Sequence, residues 1–119
     1  MKKWNFYTSK EIKPQGWLKR QLEIQAEGLS GNLHETWPDI RDSAWIGGKR
    51  EGWERVPYWL DGFIPLSYLL EDDEMIATVK KYIDAIVSAQ QDDGWICPCN
   101  KEKRKKYDTW AIQLICKTL

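Results

Sequence analysis

The chain has 119 residues, enough for one domain and too few for two. Lys plus Arg and Asp plus Glu stand at 18 each, so the formal net charge at pH 7 is zero, which argues against a dedicated nucleic-acid binder relying on phosphate neutralisation. A hydrophobic content of 42% with balanced charge excludes a disordered chain, and no apolar run approaches the ~20 residues of a membrane span.

Residues 1–13 read as an N-terminal arm of mixed character without a period. Pro14 is placed to open a helix, with Leu18, Leu22, Gln25 and Leu29 on one face and Gly28, Ser30 and Gly31 as its stop. Residues 32–56 hold Trp37-Pro38, Trp45, Gly47-Gly48, Gly52 and Trp53 with no sustained period. That predicts a long Trp- and Gly-rich cleft loop, since long irregular segments in compact domains are functional or disordered. The next helix is expected over 57–70, where Leu60, Phe63, Ile64, Leu66, Leu69 and Leu70 are apolar on nearly every face, as in a fully buried helix. Gly62 there would permit close packing and Pro65 would kink it. Residues 72–91 form the clearest amphipathic helix, with Asp72 or Asp73 as cap and a stripe of Met75, Ile76, Val79, Ile83, Ile86 and Val87. A basic loop from Lys101 to Lys106 then leads to a last apolar helix from Asp108.

This last helix carries Trp110, Ala111, Leu114, Ile115 and Leu119 to the final residue without a cap, so the chain is expected to be one partial domain, the N-terminal segment of a longer protein. Trp59 and Trp110 each begin an apolar helix, with an amphipathic helix between them and an aromatic- and acid-bearing loop before each. The pattern inner, outer, inner predicts an all-α fold of antiparallel helical hairpins, the first part of an (α/α)6 toroid with loops lining a central cleft. An open helical edge then exposes apolar surface and favours self-association.

Eight Trp residues are spread from Trp4 to Trp110. Indoles suit a cleft where a flat apolar face meets a polar ligand, as when sugar C–H faces stack on aromatic rings. Three Cys form no secretory disulfide pattern, and Met1-Lys2-Lys3 is followed by no apolar signal core, which predicts a cytoplasmic protein.

The run from Gly52-Trp53-Glu54-Arg55-Val56-Pro57-Tyr58-Trp59-Leu60-Asp61-Gly62 to Leu70 resembles the N-terminal part of the β-L-arabinofuranosidase-like glycoside hydrolases, centred on glycoside hydrolase family 127. Gln90-Gln91-Asp92-Asp93-Gly94-Trp95 looks like the family's next loop, and Asp108-Thr109-Trp110 like the start of its following inner helix. The resemblance covers residues 10–119 and implies an (α/α)6 barrel several times longer than this chain. It implies a cysteine nucleophile held by a zinc–thiolate cluster, with glutamates as zinc ligand and acid/base, all beyond the matching stretch. No catalytic residue and no cofactor is therefore assigned here, and zinc belongs to the missing C-terminal part. Cys97-Pro98 stands where the family shows Gly-Pro.

The substrate-binding candidates are Trp53, Glu54, Arg55, Tyr58, Asp93, Trp95 and Asp108. Capping competes with a sugar-hydroxyl contact for Asp93 and Asp108. An internal salt bridge to Glu51 or Glu54 competes with a ligand clamp for Arg55, and core burial is favoured for Trp59 and Trp110. Cys97-Pro98-Cys99 supplies two ligands where zinc wants four, and the lone His34 reads as a loop hydrogen-bonder. The basic run Lys101 to Lys106 reads as a solvated loop. The expected partner is a carbohydrate, with no nucleic acid and no membrane. Two alternatives stay open: an unsaturated-glucuronyl hydrolase-like toroid with Asp93 and Asp108 catalytic, and a non-catalytic helical module binding sugar or protein.

Overall fold

A computed structural model describes residue 3 and residues 5–119 of the chain; Met1, Lys2 and Trp4, which belong to the expected arm, lie outside the described residues. The fold is all-α. Its helices are α1 (Gly16–Glu27), α2 (Leu29–Thr36), α3 (Pro38–Arg41), α4 (Arg55–Leu70), α5 (Asp73–Ser88) and α6 (Trp110–Thr118), with 3₁₀ turns at Ala44–Ile46 and Arg104–Lys106. The molecule is a slab of 50 × 44 × 21 Å, its thickness that of two helices of about 10 Å each.

Helix α1 starts two residues after Pro14 rather than on it, because the chain turns in through Gln15, extended, and Gly16 at φ +55°. Lys19, Arg20, Glu23 and Glu27 pair along its exposed side. None of its residues is buried. The predicted stop is half right: Gly28 ends α1, but α2 begins at the next residue. Gly31 lies inside α2, where an added Cβ would sit 1.8 Å from the Ala26 carbonyl oxygen. Asn32 donates from its amide to the Glu27 and Gly28 carbonyls that end α1, at 3.1 and 2.8 Å.

The expected loop over 32–56 is therefore ordered and interrupted by short helices, while 47–54 remains a loop. Pro38 opens α3 with Trp37 as its extended N-cap. Residues 42–51 close on themselves: the Ser43 hydroxyl donates to the Glu51 carbonyl at 2.5 Å, and the Arg50 N–H donates to the Asp42 carbonyl at 3.0 Å. His34 sits on α2 rather than in a loop, with its ring stacked 5.8 Å from that of Trp59.

Helix α4 is the centre of the fold, packing against α1, α2, α3, α5 and α6. It buries Val56, Trp59, Leu60, Phe63, Leu66 and Ser67, a stripe at helical spacing, and Pro57 beside it in the first turn. The expectation of burial on all faces fails, since Tyr58 is 48% and Tyr68 39% exposed. Gly62 is not a packing contact either: an added Cβ there meets nothing within 4 Å. Glu71 ends α4 at φ 56°, and Asp72 caps α5 by accepting from the Met75 N–H at 2.9 Å. The two helices thus form an antiparallel hairpin.

Helix α5 buries Val79, Tyr82 and Ile86. Tyr82, absent from the predicted stripe, joins the core: its hydroxyl donates to the Ile40 carbonyl at 3.1 Å, and burial pushes its pKa up to about 12. Val87, assigned to the stripe, is 49% exposed. Helix α6 returns beside α4 in the same direction. Trp110 bonds to Tyr58 at the start of both helices, and Lys117 pairs with Asp61 farther along, at 2.8 Å. Trp110 is 43% exposed, so the expectation of burial holds for Trp59 (7%) and fails here.

Two substitutions separate the buried and open sides of α4. Gly62→Ala is expected to raise stability by about 0.5–1 kcal/mol, from helix propensity at an unobstructed site. Phe63→Ala should cost about 3–5 kcal/mol through the cavity it leaves. Urea midpoints check both; a destabilised Gly62→Ala chain would show that space at residue 62 is needed.

Candidate functional site

The loop that precedes α4 and the segment between α5 and α6 both lie at the end where α4 and α6 begin, because α5 runs back to it. Three contacts bind them together. The Tyr107 hydroxyl donates to the Gly52 carbonyl at 2.8 Å, the Trp95 and Tyr107 rings meet edge-on at 6.0 Å, and the Trp110 indole N–H donates to the Tyr58 hydroxyl at 3.1 Å.

The seven predicted residues fall into separate groups. Tyr58 joins Trp110 and Asp108, whose carboxylate accepts from the Trp110 backbone N–H at 2.9 Å in a capping arrangement. Trp53 is 37% exposed with its backbone fixed: its N–H and that of Glu54 both donate to one Glu51 carboxylate oxygen at 2.9 Å, and its carbonyl accepts from the Trp45 indole at 2.8 Å. Glu54 is the N-cap of α4, without a side-chain capping bond. Arg55 lies 3.9 Å from Asp39 and over the Trp37 ring at 4.8 Å, so its ion pair is with Asp39 rather than Glu51 or Glu54. Cation–π contact and charge hold it together.

Asp93 and Trp95 form the third group around Arg104. The guanidinium donates to both Asp93 carboxylate oxygens, at 2.7 and 3.1 Å, and to the Gln91 side-chain oxygen at 2.6 Å, while lying 4.7 Å above the Trp95 ring. These hydrogen bonds hold the Asp93 carboxyl well below the usual carboxylate range. Asp93 is therefore ionised at neutral pH and has no proton to give as a general acid. Its group walls a hollow of about 560 Å³ that also meets Ile112 and Cys116. Sequence reasoning missed Arg104, which reads as part of a solvated lysine run. The available signal was that it is the one Arg in that run, and Arg is the residue suited to a bidentate carboxylate pair stacked on an aromatic ring.

Cys97 is buried in the core at 1% exposure, and burial pushes its thiol up to about 11. Cys99 is half-buried and Cys116 exposed, and all three are free thiols. No group of three His, Cys, Asp or Glu able to hold a metal occurs among the described residues. No helix there is long and apolar enough to cross a membrane. Comparisons with known protein families, with curated proteins and with solved structures each return no match.

Two measurements follow. The stability lost in Asp93→Asn should be full at pH 7 and shrink progressively below about pH 4. A carboxylate depressed in the folded state contributes above its unfolded value of about 3.9 and loses that contribution as pH falls through its folded value. Urea midpoints from pH 7 to 2.5 check this; a constant gap would mean that the Arg104 pair adds nothing. In the native chain, a disulfide reagent should label Cys116 at least about tenfold faster than Cys97, whose thiolate is both shielded and disfavoured.

Proposed function

We propose that the chain is the N-terminal part of a carbohydrate-active α/α-toroid enzyme, a β-L-arabinofuranosidase-like glycoside hydrolase, to which it contributes cleft wall and sugar subsites. One observation carries the reading: two parallel helices, α4 and α6, begin side by side with Tyr58, Trp110 and Asp108 joined at their starts. An aromatic face beside a carboxylate, at the mouth of paired inner helices, suits a sugar ring presenting C–H groups on one side and hydroxyls on the other. In this reading Trp53, Glu54, Arg55, Tyr58, Asp93, Trp95 and Asp108 supply binding contacts. The nucleophile and its zinc site belong to sequence outside this chain.

Trp17, Leu18, Ile24 and Leu29 are 75%, 50%, 46% and 75% exposed. That uncovered apolar surface of α1 and the first residue of α2 is the open edge at which further helical hairpins or a second copy would pack. The setting is the cytoplasm.

Tryptophan fluorescence of the 119-residue chain with methyl β-L-arabinofuranoside tests the proposal. A saturable change at millimolar ligand, lowered at least about fivefold in affinity by Tyr58→Ala, is the expected result, with no hydrolysis of a β-L-arabinofuranoside. No saturable change with any arabinofuranoside would sink it.

A further inference from the structure

Between the Trp53 loop and the 98–107 segment lies a second hollow, of about 720 Å³, distinct from the one at Asp93. Its floor is rigid. Gly52 is wedged so closely that an added Cβ would lie 2.9 Å from the Ala44 Cβ and 3.0 Å from the Pro98 Cγ, and the Tyr107 hydroxyl bonds to the Gly52 carbonyl. On one wall stands Trp53, its backbone N–H bonded to Glu51 and its carbonyl accepting from Trp45, with the residue 37% exposed. An aromatic side chain carried on a held backbone and left open can receive a stacking ligand without reordering the main chain.

The rim is cationic. Arg50, Lys103 and Lys106 line the hollow together with one carboxylate, Glu102. Neighbouring cations are spent elsewhere: Lys101 and Arg104 pair with Asp93, and Arg50 lies 3.4 Å from Asp39. Lys103 and Lys106 form no ion pair among the described residues and are exposed. Lysine ammonium groups act as point charges and can bind a phosphoryl group in that way. A phosphomonoester carries about −1.5 to −2 at pH 7 and three acceptor oxygens, enough to engage both lysine ammonium groups.

We propose that this hollow binds a phosphorylated saccharide, the sugar face on Trp53 and the phosphomonoester on Lys103 and Lys106, with Glu102 placed to accept from a sugar hydroxyl. The proposal rests on the sugar-binding reading for the ring and adds to it the charge of the ligand and the residues that select it.

Calorimetry and amide chemical shifts of the 119-residue chain, with arabinose 5-phosphate, arabinose and inorganic phosphate as probes, test it. The expected result is that the sugar phosphate binds at least about tenfold more tightly than either other probe, with shifts at residues 50–53 and 98–107. Trp53→Ala and the double variant Lys103→Gln with Lys106→Gln should each weaken it about fivefold or more while far-UV circular dichroism stays native; Trp53→Phe should restore part of the loss. Inorganic phosphate binding as tightly as the sugar phosphate, indifferent to Trp53→Ala, overturns the proposal. Arabinose binding as tightly, indifferent to the lysine double variant, overturns it and leaves the sugar-binding reading standing. No shift with any saccharide at this hollow overturns it outright, and if Tyr58→Ala also leaves arabinofuranoside binding unchanged, the broader reading falls with it.

Discussion

Trp59 is the side chain on which the packing of this chain turns. Its ring stacks on Phe63 at 4.5 Å, meets Tyr82 edge-on at 4.8 Å and faces His34 at 5.8 Å, while its indole N–H donates to the Ser30 carbonyl at 3.0 Å. One residue thus joins α4 to α5 and α2 and satisfies its own polar atom in doing so. Tyr82 repeats the arrangement from α5, filling the same cluster and reaching the Ile40 carbonyl at the end of α3. Because aromatic side chains carry much of the contact area, a small chain can hold short helices that would not persist in isolation.

The same constraint places the functional end. With α4 fixed by Trp59 and α5 folded back on it through the Glu71–Asp72 turn, the segment after α5 has to return to where α4 begins. There it is tied by Tyr107 to Gly52 and by Trp110 to Tyr58, contacts between residues far apart in the chain. The aromatic- and charge-bearing loops are neighbours because of helix direction. The proposed sugar contacts and the proposed phosphoryl contact are consequences of one hairpin geometry acting on two loops.

Much of the helical layout is legible in the sequence. The stripe of α5 and its Asp72 cap follow from period and capping chemistry, and the start of α4 lies within two residues of the expected one. Misreadings occur where tertiary contact overrides a local rule. Gly31 reads as a helix stop but permits α2 to lie against Ala26, and Gly62 reads as a packing contact but faces open space. Residues 32–56 lack periodicity because their helices are too short to show one: single residues such as Ile40 and Trp45 reach the core, and Asn32, Pro38 and the Ser43–Glu51 bond set the turns between them. The candidate residues were readable as types, acids and aromatics before helices. Their partners were not, since Arg55 finds Asp39 and Asp93 finds Arg104 through contacts that spacing does not encode.

The sequence by itself determines that the chain is all-α, where its longer helices run and which loops carry the chemistry, because period, capping and composition act over a few residues. Only the tertiary structure decides that α4 is buried on one side alone, that α6 lies parallel to it, and that Lys103 and Lys106 line a hollow with Trp53, unpaired among the described residues, while Arg104 pairs with Asp93. Those outcomes depend on which surfaces meet, and that is settled by packing around Trp59 rather than by any local preference of the chain.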